Sequence, residues 1–515
     1  MIRNMDLVKY RYEIVFCGIL ILSAFLNLWN IWAQGISNEY YAAAVKSMIQ
    51  NPGLIFFNSF DPAGFVTIDK PPVGLWVQVA SAALLGFSGW SLVLPQALAG
   101  VGSVALIYWI VFPRFGKPAG LVSSFALAVT PIFVAVSRNG TMDMQLIFVL
   151  LLATLVALKA AKDQSLLYLL LSVIVIGVGF NIKMIQAFII VPAVLIIYLL
   201  GAGKISLPKK ALHAGIAVIV LLSVSLCWAV AVDMVPADER PYIGGSGDNT
   251  VLGLIINYNG IHRLENGMNM QGSGPAVIPP GSSGIPVRPD QGTMVPGYGI
   301  PGGRNGSYPV SPPGVYGPPA PPGLQPLPPG GNSPVPVARP GGGIGMLGGQ
   351  NLQDTGIPGI LRLLSEGLAG QISWLIPFSL IGLLAWWRWP LNNLMPGCPD
   401  RGLSSEKGLA LTFMVLWLLP GLAYFSFTTG FWHPYYLATI APPLAALVGI
   451  GAVMMYREYR TGTWKGWLLV AAVLITGLIQ VLILSGYSEW AGIFVPALLT
   501  GIVAVTVLLF LLKFR

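Results

Sequence analysis

The sequence predicts an all-α integral membrane protein with about twelve transmembrane helices. Three observations carry that prediction. Of 515 residues, 55% are hydrophobic and only 9% charged, with mean hydropathy +0.73. A soluble domain carries about 25% charged residues, so this chain lacks the polar surface to coat a soluble body of its size. The apolar residues come in uncharged runs of about 20, the length that crosses the hydrocarbon core as a helix. The short alternating segments of a β-barrel are not the pattern here.

The runs fall near 14–33, 92–112, 118–136, 143–159, 165–181, 185–201, 211–232, 370–387, 408–428, 437–455, 466–485 and 491–512. An even number places both termini on one side. The tails and loops of that side, at 3–11, 114–117, 159–162, 204–210, 388–407, 457–465 and 513–515, hold eighteen of the 28 Lys and Arg. The positive-inside rule makes that side the cytoplasm, and the expected location is the plasma membrane. Loop bias therefore explains the net charge of +9, and no nucleic-acid partner is expected. No small-residue cleavage site follows Trp32, so the first run reads as a retained signal-anchor. Cys17, Cys227 and Cys398 are too dispersed for a disulfide framework or metal motif.

Two outer segments are long. The first, about 34–91, contains NEYYAAAVKSMI and PPVGLWVQVASAALLGF, two amphipathic stretches that read as helices lying on the membrane surface. The second, about 233–369, opens with DERPYIGGSGDNTVLGLIINYNGIHRL and then enters a Gly/Pro-rich tract at 268–350. That composition cannot bury a core and reads as a disordered outer loop. It divides the chain into a transmembrane catalytic region 1–267, the loop, and a second transmembrane region 351–515.

Ionisable residues at the edge of apolar segments are functional candidates, because exposing them to lipid is costly. The outer loops offer Glu39 after the first span, and Asp61, Asp69 and Lys70 in FDPAGFVTIDKPPVGLW. Arg138 and Asp143 lie between the third and fourth spans, and Lys183 in the turn between the fifth and sixth. Arg240 and Tyr242 follow the seventh, and Asn259 sits in NYNG. His433, Tyr435 and Tyr436 stand in FWHPYY. A bundle could gather these around one outward-facing cavity.

Each also has a plainer reading. Lys70, Lys183 and Arg138 could snorkel to the headgroups. Asp143 could stabilise the start of its helix, and Asp61, before Pro62, could be a turn residue. Glu39 could be a solvated carboxylate and His433 an aromatic-belt member. Collected on one face, cations beside carboxylates suit an anionic ligand handled next to an acid–base step. Lys and Arg suit phosphate, and a carboxylate within reach of a hydroxyl suits general-base work. Pro71 and Pro72 each fix φ, so Lys70 enters a surface helix at a set angle.

Six stretches in order, YYAAAVKSM, DPAGFVTIDKPPVGLW, LPQALAG, GFNIKMIQAF, RPYIGGSGDNTVLGLIINYNGIHRL and HPYYLATIAPPLAALVGIG, resemble the GT-C superfamily of membrane glycosyltransferases. The nearer likeness is to its bacterial family-39, mannosyltransferase-like branch, related to protein O-mannosyltransferases and lipid A aminoarabinose transferases. It covers nearly the whole chain outside 268–350. The resemblance implies a sugar moved from a polyprenyl-phosphate donor to an acceptor hydroxyl on the outer face, with inversion. On it, Lys70 holds the donor phosphate, helped by Lys183 and Arg240, and Asp69 orients Lys70. Asp143 and Glu39 serve acid–base or sugar contact, and Tyr435 and Tyr436 line the cavity. Asp61, Arg138, Tyr242, Asn259 and His433 complete the candidate substrate contacts.

One departure matters. The Asp-Glu that the superfamily often places after its first span is Asn38-Glu39 here, so the base is Glu39, Asp143, Asp69 or Asp61. No cofactor is required, and a divalent metal on Asp69 and His433 would rest on two ligands. The sugar is open, and so is the acceptor: a protein, a polymer or a lipid. The rival readings are a polyprenyl-lipid-binding partner without transfer activity, and a flippase or transporter. The latter calls for repeated halves or charges at midplane depth, whereas the charges here cluster at one surface.

Overall fold

The computed structural model describes residues 10–201, 205–260, 355–386, 403–429, 432–461 and 464–513. The expected disordered loop at 268–350 and Cys398 lie outside them. Among the described residues the regular structure is helical, apart from two isolated β-bridges.

Helix α1 (Arg11–Leu28) and a 3-10 turn form the first span. The two surface helices follow as α2 (Glu39–Gln50) and α3 (Val73–Leu85). The Asn38 side chain accepts the Tyr41 N–H at 2.9 Å, which satisfies one of the unpaired donors at the start of α2. Helix α4 (Gly89–Phe115) opens on a Ser88/Ser91 capping box. The expected span 118–136 is two pieces, α5 (Lys117–Ala128) and α6 (Pro131–Ser137), bent by 63°. Pro131 lacks the N–H that would continue the helical ladder, and its ring disfavours helix in the residue before it.

Next come α7 (Asp143–Asp163), α8 (Leu166–Lys183), α9 (Val191–Leu200), α10 (Leu207–Asp233) and the short α11 (Val251–Ile256). The C-terminal region supplies α12 (Glu366–Ile372), α13 (Ile376–Trp386), α14 (Glu406–Phe427), α15 (Ala441–Arg460), α16 (Trp467–Ser485) and α17 (Ser488–Lys513).

Ten helical runs among the described residues are long and apolar enough to cross a bilayer, and the bent pair makes an eleventh. One of the ten, Leu166–Leu200, is 35 residues long and doubles back. Met184 takes φ +49°. Gln164, before α8, donates from Nε2 to the Tyr198 carbonyl near the end of α9 at 3.2 Å. A continuous helix would hold those residues roughly 50 Å apart. The run is therefore a hairpin of two spans, and the bundle has about the twelve that the sequence predicts.

Small residues let the central helices approach closely, as membrane bundles require. A Cβ on Gly449 of α15 would sit 2.4 Å from the Ala119 carbonyl of α5, and one on Gly382 of α13 would sit 2.8 Å from the Gly451 Cα. The start of α2, the DKPP turn, the end of α8 and the start of α15 gather at one end of the bundle. Arg114, Arg457 and a Lys162–Glu406 pair at 2.7 Å occupy the other.

Candidate active site

The DKPP turn is held from three sides. Asn58, at φ +58°, donates from Nδ2 to the Lys70 carbonyl at 2.8 Å and accepts the Ile68 N–H at 3.0 Å. The Asp69 N–H donates to the Tyr40 hydroxyl at 3.3 Å, and Asn259 Nδ2 donates to the Asp69 carbonyl at 3.2 Å. Further back, the Thr67 N–H donates to the Tyr242 carbonyl at 2.8 Å, and the Tyr242 N–H to the Phe65 carbonyl at 3.0 Å. Tyr242 thus joins the two outer segments through its backbone. Fixed in this way, Lys70 pairs with the Asp69 carboxylate and lies 5.6 Å from the centre of the Tyr258 ring.

A second Asp–Lys pair is assembled from distant chain. Asp143 is the first residue of α7 and Lys183 the last of α8, and they form a buried ion pair. The Lys183 ammonium also lies 4.4 Å from the Tyr436 ring centre and 5.0 Å from that of Tyr435, within cation–π range. Asn181 ties this end of α8 to α10, donating to the Val224 carbonyl at 3.0 Å. Gln145 Nε2 donates to the Gly74 carbonyl at 3.2 Å, and Gln78 Nε2 to the Gly140 carbonyl at 3.0 Å. These bonds fix α7 against α3, which follows the DKPP turn. The aromatic segment is anchored by Arg362, whose guanidinium donates to the Thr355 and Thr428 carbonyls and stands 5.1 Å from the Trp432 ring.

The two lysines share a cavity of about 480 Å³. Lys70, Lys183, Asn259, Tyr436 and Thr439 give it polar groups, while Ile185, Phe188, Ile189, Pro192 and Phe425 give it apolar wall. Neither Asp69 nor Asp143 has both oxygens satisfied. Asp69 Oδ1 and Asp143 Oδ2 are buried without a hydrogen-bond partner, a costly state for a carboxylate with nothing bound.

Two tyrosines that the sequence reading passed over join these pairs. Tyr40 receives the Asp69 N–H, and its hydroxyl pKa is raised by burial and by the Asp69 charge. Tyr41 is buried, and burial raises its hydroxyl well above the ordinary range. Tyr435, Asp69, Tyr436 and Asp143 all lie close enough to push it the same way. The available signal was the buried face of an amphipathic helix carrying a hydroxyl at Tyr41. Tyr258 and Asn58 were also missed, each being an unremarkable polar residue in a loop until its neighbours are known.

Other candidates fall outside this cluster. Glu39 is exposed at the start of α2 and makes no ion pair or side-chain hydrogen bond among the described residues. The Asp61 carboxylate accepts the N–H groups of Ala63, Phe65 and Val66, the turn role weighed above. Arg138 donates to the Leu26 carbonyl at 2.8 Å and bridges α6 to α1. Arg240 donates to the Val235 carbonyl and approaches Asp233 at 3.8 Å. None of these four lines the cavity. His433 stacks on Tyr435 with ring centres 5.0 Å apart. Among the described residues, no three His, Cys, Asp or Glu converge as metal ligands, and the Asp69 carboxylate is engaged by Lys70. The Asp69–His433 pairing therefore does not fit a metal site, and no step is derived through one.

Among the described residues, a bundle of about twelve spans with cations and carboxylates gathered at one end beside an apolar-walled cavity defines an integral-membrane protein with a polar centre near the bilayer edge. Comparison with known proteins narrows the class. Residues 69–228 match the family model described as dolichyl-phosphate-mannose-protein mannosyltransferase. The chain is 40% identical over 505 residues to "Putative mannosyltransferase YkcB" of Bacillus subtilis (strain 168), covering 95% of this chain and 69% of that protein. It is 41% identical over 503 residues to "Putative mannosyltransferase YycA" of the same organism, covering 94% and 70%. The solved structure of ArnT from Cupriavidus metallidurans bound to undecaprenyl phosphate has the same fold, with TM-score 0.50 and 14% identity over 98% of this chain and 76% of that one. The chain belongs to the bacterial mannosyltransferase-like family of GT-C membrane glycosyltransferases.

Proposed function

We propose that this glycosyltransferase takes its sugar from a polyprenyl-phosphate donor and passes it to an acceptor hydroxyl at the outer face of the plasma membrane. The observation that carries the reading is the cavity itself: two lysine ammoniums above a largely apolar wall. Such a cavity complements a ligand with an anionic phosphate and a hydrocarbon tail, and it needs no nucleotide-binding loop. The family description naming a dolichyl-phosphate-mannose donor, and the undecaprenyl phosphate bound to a protein of the same fold, agree with that chemistry. The clustering of basic residues at the opposite end of the bundle supports the outer face.

In this reading Lys70 and Lys183 hold the phosphate. The acceptor oxygen attacks the anomeric carbon, the bond from that carbon to the phosphate oxygen breaks, and the electron pair leaves with the phosphate. The two lysines neutralise the charge that develops there. The acceptor's proton passes to a carboxylate. Asp143 is our assignment for it: it lies fully buried behind the cavity wall, but its partner Lys183 lines the cavity and its second oxygen is unsatisfied. Glu39 is the alternative, since it remains free for an acceptor arriving from solvent. The Asn38 position, where the superfamily often has Asp, is committed to capping α2.

The test uses the purified chain with a synthetic polyprenyl-phosphate sugar, reading released polyprenyl phosphate. Wild type should release it in the presence of acceptor. Asp143→Asn should lose turnover while Glu39→Gln retains most of it. The reverse result moves the base to Glu39, and no release from any polyprenyl-phosphate sugar rejects the donor class.

A further inference from the structure

A second charged cavity lies at the far end of the bundle. Its volume is about 210 Å³, and Arg114 at the end of α4, Lys407 at the start of α14 and Arg457 near the end of α15 converge on it. Phe115, Ile450 and Met454 give it apolar wall. The chain from Tyr436 at the catalytic cavity to Arg457 rises roughly 30 Å as helix, the thickness of the hydrocarbon core. The two cavities therefore sit at opposite membrane surfaces.

Three cations meet here, with no carboxylate among the described lining residues. Arg114 spends one nitrogen on the Ile110 carbonyl at 2.8 Å. The side chains of Lys407 and Arg457 make no hydrogen bond or ion pair among the described residues. Glu406, next in sequence to Lys407, pairs with Lys162 at 2.7 Å and its charge also reaches Arg114, which leaves the three cations only partly compensated. Like charges held together at the edge of low-dielectric surroundings repel, and a bound anion would relieve that repulsion. The volume equals that of roughly seven waters, room for a phosphate and a small polar substituent. The position at the bilayer edge, with apolar wall below the charges, fits an anion that arrives attached to acyl chains.

We propose that this cavity binds the phosphate of an anionic phospholipid headgroup in the leaflet opposite the catalytic site. Basic pockets between transmembrane helices recognise such headgroups by the same physics. The full chain is reconstituted in nanodiscs of phosphatidylcholine with increasing phosphatidylglycerol, and its thermal midpoint is followed. The wild type should be stabilised saturably. The double variant Lys407→Ala/Arg457→Ala removes two unpaired, partly exposed cations, so it should fold normally in pure phosphatidylcholine. Its half-maximal phosphatidylglycerol fraction should rise roughly tenfold or more. Lys159→Ala, an exposed cation at the same end but off the cavity, should match the wild type. A double variant that titrates like the wild type overturns the proposal. So does equal stabilisation by millimolar inorganic phosphate in pure phosphatidylcholine discs, which would make the occupant a free anion.

Discussion

The molecule contains two Asp–Lys pairs at one end of its bundle, and they are built in opposite ways. Asp69 and Lys70 are neighbours in sequence, braced by two prolines and a loop, with side chains 14% and 9% exposed. Asp143 and Lys183 come from the facing ends of two helices, with side chains 0% and 7% exposed. The first pair is a local device that holds a lysine at a cavity mouth. The second is a tertiary device that locks α7 to the α8 hairpin and offers the same cavity a second lysine. Both lysines are buried, Lys70 at 7% and Lys183 at 8% exposure over the whole residue, so the pairs differ chiefly in how the chain builds them and in the small exposure that Asp69 keeps. A fully buried pair becomes destabilising when either partner is removed alone.

The sharpest way to break the comparison is at the buried pair. Asp143→Asn leaves Lys183 as an uncompensated cation, and loss of one partner from such a pair costs about 3–5 kcal/mol. Its thermal midpoint should fall clearly, and transfer should drop by roughly 10²-fold or more. Asp143→Asn/Lys183→Met, with neither charge, should recover much of the stability and none of the transfer. Recovered transfer in the double variant would make the pair structural only.

The contiguous pair should weight the same two properties differently. Lys70→Ala should lose on the order of 10²-fold in transfer, as expected when one charge-stabilising donor is removed. Its unfolding midpoint should also fall, because Asp69 loses its cation in a largely buried site, but by less than in Asp143→Asn, since the Asp69 side chain keeps 14% exposure and Asp143 none. A Lys70→Ala variant with near-normal turnover would transfer the phosphate-holding role to Lys183 alone.

These pairs also mark how far the sequence could be read. The bundle was legible because bilayer thickness imposes a run length, and the sequence placed about twelve spans where the helices lie. Even the hairpin at Met184 was visible as two runs separated by Asn181–Lys183. The DKPP device was legible because its chemistry is contiguous. The Asp143–Lys183 partnership was not, although both residues were singled out, since nothing local says which helix ends will face each other. Asp61, Arg138 and Arg240 were selected as charges at membrane boundaries; Asp61 spends its carboxylate on backbone N–H groups, while Arg138 and Arg240 each donate to a backbone carbonyl and Arg240 also lies beside Asp233. Charge at a boundary identifies an expensive residue, but not whether backbone or substrate satisfies it.

Tyr41 tests the joint between the two pairs. Its hydroxyl is buried near Asp69 and Asp143. Tyr41→Phe should cost about 1 kcal/mol or less in stability. If the hydroxyl contacts the sugar or the acceptor, transfer should fall roughly tenfold, the worth of one substrate hydrogen bond. Unchanged kinetics would confine Tyr41 to packing.

The smallest effect is expected at Asp61, a carboxylate near the Asp69–Lys70 pair but outside the cavity. Burial alone would raise its pKa, but the N–H groups of Val66, Phe65 and Ala63 more than offset that and hold it below the ordinary carboxylate range. A group depressed in the folded state adds stability above its unfolded pKa of about 3.9 and loses it as pH falls through the folded value. Asp61→Asn should therefore be slightly less stable than wild type at neutral pH, with the gap closing below about pH 4. Its transfer rate at neutral pH should match the wild type, because the carboxylate braces the loop behind Lys70 and does not face the cavity. Thermal melts across pH, paired with a single turnover measurement, would separate the two roles. A large loss of transfer with an unchanged melting profile would place Asp61 among the substrate contacts.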